Sequence, residues 1–170
     1  MRRLSLAGIC LGLSLSAACR VEDRTPSGSR RDEDAVQALV SEYARDLSDR
    51  RWDEVRALFW REGTYSGPMV PGSLGHAVPI DSALHSMTAR VGQLDPYSFD
   101  VRVLRSDFRQ DGDLAAVWVT TRRRLPLAGG AGVSERDWME HLVFRRIGEE
   151  WRILSVAGAA APRRLLRDAR

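Results

Sequence analysis

Glu140 is the position at which this sequence first invites chemistry. It shares strand parity with Trp138, Leu142 and Phe144, so its carboxyl group belongs to a largely apolar face. A carboxylate drawn into an apolar enclosure has its pKa raised, and such groups concentrate at functional sites. The plainer reading is a partner close by, either Tyr43 or an arginine of a neighbouring strand. The opposite face, with Met139, His141 and Val143, is also partly apolar, so parity alone leaves the inward side open. Tyr43 lies in the buried stripe of a helix, where a tyrosine packs its ring and finds a partner for its hydroxyl. His76, His85 and His141 are the three histidines, and no two stand as a close pair on one element, so no metal site is expected. His76 sits in a Gly/Pro-rich loop. No Ser-His-Asp order, phosphate loop or cysteine nucleophile is visible, and no cofactor is expected. Arg122-Arg123-Arg124 is a weak phosphate-site candidate, because alternation along a strand sends Arg123 to the face opposite its neighbours.

The beginning of the chain has an organisation of its own. Arg2 and Arg3 precede an uncharged run from Leu4 to Ala18, too short for a permanent membrane span of about 20 residues. Charged start, apolar centre and small-residue exit are those of a secretory signal. The exit, Leu15-Ser16-Ala17-Ala18-Cys19, is similar to a bacterial lipoprotein box with Ser16 where Leu is usual. Ser16 and Ala18 also suit an ordinary signal peptidase; of the two, residues 1–19 are expected to be an export signal with lipidation at Cys19, and the protein is expected at the cell envelope on a lipid anchor. Residues 20–33 read as a flexible linker, 34–160 as one folded domain and 161–170 as a basic tail. The chain has 26 basic and 23 acidic residues, and every basic one is Arg. From Ala35 to Ala160 the balance is 16 against 17. A nucleic-acid binder would carry a basic face on its folded domain, so none is expected here.

The elements that must position these side chains follow from periodicity. Val36, Leu39, Val40, Tyr43 and Leu47 predict a helix over 34–48, and Trp52, Val55, Leu58 and Phe59 a second over about 51–61. Thr64-Tyr65-Ser66 is a short strand candidate, and Gly67 to Gly75 must be loop. Ile80, Ala83, Leu84, Met87 and Val91 give a third helix with Pro79 in its first turn. The period then falls to two: strands over 97–109, 114–125, 134–146 and 150–157, with a hairpin signal at Asp111-Gly112. Helices followed by hairpin-linked strands argue an α+β domain with helices on one face of an antiparallel sheet.

With the segments AVQALVSEYARDL, WDEVRALFWREGTYSG, DGDLAAVWV and EHLVFRRIGEEWRI in this order, the chain resembles the nuclear-transport-factor-2-like superfamily, which includes SnoaL-like cyclases and ketosteroid isomerase. The resemblance covers nearly all of residues 34–158. It implies a cone-shaped curved sheet wrapped by three N-terminal helices, with a pocket at the open end. Isomerases, cyclases, dehydratases, ligand binders and dimeric adaptors share that fold, which does not choose among them. Ketosteroid isomerase needs a carboxylate base, with a tyrosine and a protonated acid holding the enolate oxygen. By position the tyrosine falls on Tyr43, the acid on Glu140 and the base on Gly67, which cannot move a proton. His76 could stand in as the base; its plainer reading is a solvated loop histidine. Trp118, Trp138 and Tyr65 are expected near a ligand. The resulting expectation is a non-catalytic domain that binds a small apolar molecule in its cone. The alternatives are an enzyme using Glu140, Tyr43 and His76, and an adaptor that forms a homodimer or docks a partner on its open sheet face.

Overall fold

A computed structural model describes residues 29–126 and 132–160. The signal segment with Cys19, the linker through residue 28, the connection 127–131 and the tail 161–170 lie outside the described residues.

The first helix, α1 (Arg30–Ser48), begins four residues before the apolar stripe suggests. Ser29 caps it, its hydroxyl accepting from the Asp32 N–H at 3.0 Å, and Asp32 and Glu33 sit favourably in the first turn. Val36, Val40, Tyr43 and Leu47 form its buried face. Each such side chain contributes on the order of 2 kcal/mol when fully removed from water.

The chain turns through Arg50, held at φ 58°, where its guanidinium donates to the carbonyls of Leu94 (2.7 Å) and Asp95 (2.8 Å). Then comes α2 (Trp52–Leu58). It is shorter than the spacing predicts, because the backbone extends at Phe59 and becomes β1 (Phe59–Ser66). The short β2 (Val78–Pro79) leads into α3 (Ile80–Val91), where Pro79 sits at the N-cap, one residue ahead of the first turn in which the spacing placed it. A short 3-10 turn, Pro96–Ser98, precedes four long strands: β3 (Asp100–Asp111), β4 (Leu114–Pro126), β5 (Val133–Ile147) and β6 (Glu150–Ala160).

These strands form one open sheet in the order β2-β1-β6-β5-β4-β3. All pairs are antiparallel except β1 with β6, which run parallel. The sheet is thus mixed rather than purely antiparallel, since β1 enters from the helical half and joins the far edge of the hairpin run. Register shifts at Phe59/Thr64, Val103/Arg105 and Val143/Phe144 mark bulges, the usual device for bending a strand. α1 packs along β3 and α3 against β1. The Ser48 hydroxyl bonds both N–H and C=O of Val101, at 2.8 and 3.0 Å. At the other end of α1, Asp32 accepts from Gln110, Arg146 and Trp151 at 3.1–3.3 Å. Both ends of the helix are therefore tied to the sheet, and the face between them is held over its inner side.

Candidate functional site

Strict alternation on β4 and β5 decides which side chains enter the space between helices and sheet. On β4 the inward set is Ala115, Val117, Val119, Thr121 and Arg123; on β5 it includes Glu140, Leu142 and Phe144, all buried. Register places Val119 opposite Glu140, with Thr121 and Arg123 following along β4. The Arg123 guanidinium meets Glu140 Oε1 in an ion pair, both residues about 1% exposed. Glu140 Oε2 accepts from the Thr121 hydroxyl at 3.2 Å. The neighbouring arginines face outward, where Arg122 bonds Asp137 at 2.9 Å and Arg124 bonds Glu135 at 2.8 Å. The arginine triplet is thus split by the pleat, its middle member entering the core.

On β6, Gly158 lies opposite Glu140. A methyl group there would come within 3.2 Å of Glu140 Cγ, so the glycine leaves room for the carboxylate. From α1 comes Tyr43, its ring edge-on to Phe59 at 6.0 Å; from β1 comes Tyr65. Both are almost wholly buried. Their hydroxyls lie close enough to Arg123 and Glu140 to couple with them electrostatically, yet neither makes a hydrogen bond of full geometry.

Burial pushes both phenols above their ordinary pKa, with the Glu140 charge adding to the rise at Tyr43. Burial of Arg123 opposes its charge, but Glu140 and the two phenols outweigh this and hold it firmly protonated. Arg123 Nε and Nη1 and the buried indole N–H of Trp138 make no hydrogen bond of full geometry, although the guanidinium lies within hydrogen-bonding reach of both phenols. Trp138 shares the inward parity of Glu140 and pairs with Thr121 across the strands. The centre of the fold therefore holds one internally neutralised ion pair with two phenols facing its guanidinium.

The profile of the SnoaL-like domain family matches residues 29–157, a span that takes in α1 and nearly all of the sheet. The chain belongs to the SnoaL-like domain family. Among solved structures, this SnoaL-like domain is similar to an uncharacterized protein with a cystatin-like fold from Caulobacter vibrioides. The TM-score is 0.66 at 15% identity, over 82% of this chain and 96% of that one. A protein from Novosphingobium aromaticivorans with a provisional scytalone dehydratase assignment aligns with TM-score 0.65 at 10% identity, over 78% of this chain and 85% of that one. The CaMKII hub of S. rosetta aligns with TM-score 0.62 at 14% identity, over 75% and 95%. At such identities the likeness is one of fold. No curated protein sequence matches the chain.

Within the SnoaL-like fold, Glu140, Tyr43 and Tyr65 come together as the sequence suggested, and Trp138 stands on the same inward face. Two expected residues do not join them. Trp118 has the opposite parity to Val117 and Val119, stays 44% exposed, and stacks on His141 at 4.4 Å on the outer face of the sheet. His76 is exposed with its neighbours Leu74, Gly75 and Ala77. The loop turns inward only as far as Ser73, whose buried hydroxyl bonds Gly67 N–H at 3.0 Å and the carbonyls of Gly67 and Val70 at 2.7 and 3.0 Å. Beyond that latch the chain is exposed through Ala77, so His76 is not part of the buried cluster around Glu140.

The position of the missing base is itself occupied. A methyl group on Gly67 would lie 2.6 Å from the Tyr65 hydroxyl oxygen, so the phenol fills the space that a side chain at 67 would need. Arg123 is the member of the cluster that sequence reasoning set aside. Its signal was present in the alternation that separated it from Arg122 and Arg124. Among the described residues no three His, Cys, Asp or Glu side chains gather as a metal site.

Proposed function

We propose that this SnoaL-like domain binds a small, largely apolar molecule between its helices and sheet, without isomerising it, while tethered at the cell envelope through Cys19. The observation that carries the reading is the buried polar cluster of Arg123, Tyr43, Tyr65 and Trp138, in which Arg123 Nε and Nη1 and the Trp138 N–H make no hydrogen bond of full geometry and the guanidinium faces both phenols. Buried donors are almost always matched in a folded protein, and unmatched ones cost about 1–3 kcal/mol each. A guest that supplies the missing acceptors recovers that cost, and apolar neighbours such as Val117, Val119 and Leu142 would enclose the rest of it. Catalysis of the isomerase type is disfavoured. Gly67 carries no base, the phenol in its place stays protonated, and Glu140 accepts from Arg123 rather than donating to a substrate oxygen.

The test is extraction of the exported protein, purified at full mature length, followed by mass spectrometry. A small molecule should be recovered in stoichiometric amount. It should be lost from an Arg123→Met/Glu140→Leu double variant whose circular dichroism is unchanged. Equal recovery from both proteins, or none from either, sinks the binding reading.

A second reading, pairing of two copies, is supported by the outer face of the sheet. Trp118, Leu104 and Leu114 are each about half exposed there, and the similar fold of the CaMKII hub belongs to an assembling domain. Light scattering that gives a dimer for the parent and a monomer for Trp118→Arg would support it.

A further inference from the structure

At the end of the sheet where β5 turns back into β6, a surface cleft of about 330 Å³ is lined by Trp60, Arg145, Arg146 and Ile147. Sites for small molecules run from about 300 to 1,000 Å³, so this one suits a compact guest. It stands apart from the buried cluster. Phe144 is buried while Arg145, the next residue of β5, is exposed. Arg145 lies opposite Leu114 of β4 and Arg152 of β6. Trp60 follows the buried Phe59 in β1 and is half-buried.

Three of the four arginines in or beside the cleft are already balanced. Arg146 donates to Asp113 at 2.8 Å and to Asp32 at 3.1 Å. Arg152 pairs with Glu150, and Arg61 with Glu62 at 3.2 Å. Arg145 differs, because its side chain has no hydrogen bond or ion pair among the described residues. No acid is among the residues that line the cleft. A guanidinium is a planar fork that fits a carboxylate with two parallel hydrogen bonds. One uncompensated positive charge neutralises a carboxylate but leaves a phosphate dianion half-compensated. The indole of Trp60, with the Arg61 guanidinium 5.7 Å from its ring centre, offers surface for offset or edge-on contact with an aromatic ring. Ile147 adds an aliphatic wall.

We infer that this cleft is a second binding site, taking a small aromatic monoacid whose carboxylate is forked by Arg145 and whose ring lies against Trp60 and Ile147. It is independent of the binding proposed for the interior. Since Arg145 is exposed, the ion pair is open to screening, and its contribution falls as salt rises.

The test uses the full mature protein labelled with 5-fluorotryptophan, the Trp60 fluorine resonance being assigned from Trp60→Phe. The probes are 2-naphthoate, its neutral analogue 2-naphthamide and 2-naphthyl phosphate, with affinities from calorimetry. Naphthoate should shift the Trp60 resonance and bind about fivefold or more tightly than the amide, with the margin shrinking at high salt. Arg145→Gln should lower naphthoate to the affinity of the amide and leave the amide unchanged, while circular dichroism stays that of the parent. Equal binding of naphthoate and amide, tightest binding of the phosphate, or an Arg145→Gln variant that binds naphthoate like the parent would each overturn the inference. So would a shift at Trp138 without one at Trp60, which places the acid in the interior, and so would no binding at all.

Discussion

Replacing Glu140 by Gln tests the centre of the structure directly. The substitution keeps the size of the side chain and removes its charge. Arg123 then remains about 1% exposed with no counter-charge, its burial still opposing the charge. Removing one partner of a buried pair costs about 3–5 kcal/mol. Gln still offers a carbonyl oxygen to the guanidinium, so the lower end, about 3 kcal/mol, is the expected loss. A domain of this size has about 5–15 kcal/mol of total stability, and each kcal/mol moves its Tm by about 4 °C. Glu140→Gln should therefore melt roughly 12 °C below the parent.

The companion Arg123→Met/Glu140→Leu removes both charges and fills the space with apolar atoms. Such replacements are often neutral or stabilising, so it should return to within about 1 kcal/mol of the parent. Urea unfolding of the parent, Arg123→Met, Glu140→Leu and the double variant, followed by circular dichroism, gives the coupling between the two sites. A Glu140→Gln loss below about 1 kcal/mol would refute the reasoning, because an unpaired buried guanidinium cannot be that cheap. So would a double variant as unstable as the sum of the singles.

Three further outcomes follow from single contacts. Gly67→Ala should destabilise by about 1–3 kcal/mol through overpacking against Tyr65, and should relieve that loss when combined with Tyr65→Phe; a neutral Gly67→Ala would remove the phenol from position 67. Asp32 is held at a pKa of about 2, below the ordinary 3.8, first by the Ser29 hydroxyl and then by Gln110, Trp151 and Arg146. Its folded pKa is depressed, so its contribution is complete above pH 3.8 and fades as pH falls toward 2. Asp32→Asn should accordingly be less stable than the parent at pH 7, and the gap should close between pH 4 and 2 in thermal melts; a gap independent of pH would refute the assignment. Cys19→Ala should release the protein from the membrane fraction into the soluble exported fraction, and retention in the membrane on immunoblots would exclude the lipid anchor.

What could be read from the sequence was what neighbouring residues decide. The stripes of α1 and α3 repeat every three or four positions, and β3 to β6 alternate between hairpin signals, so both periods are visible within a short window. The end of α2 was not legible in that way. Trp52, Val55 and Leu58 continue a helical stripe into Phe59, and only the pairing of Phe59 with Ile153, nearly a hundred residues later, draws the backbone out into a strand. The parallel join of β1 to β6 is equally non-local. The site divides along the same line. Glu140 and Tyr43 stood out because each broke or completed a local pattern. Trp118 was misplaced because the size of an indole suggests an interior, although its parity already opposed Val117 and Val119. Parity is the better guide on a sheet whose inner face is buried, since a side chain cannot change face without shifting the register.

Arg123 shows why parity had to be joined to register before the site could be understood. A run of three arginines looks like one surface, and composition alone gives its middle member no special place. Once Val119 is paired with Glu140, the inward member is carried beside the carboxylate on the inward face of β5, and each residue accounts for the other. Glu140 is no longer an isolated acid awaiting a proton to move. It is the counter-charge that lets an arginine stay buried beside two phenols. Gly67 and Tyr65 complete the change of chemistry, since the space for a base has been given to a phenol that burial keeps protonated. An ion-paired arginine and two protonated phenols at that place fit the binding proposed above better than proton abstraction.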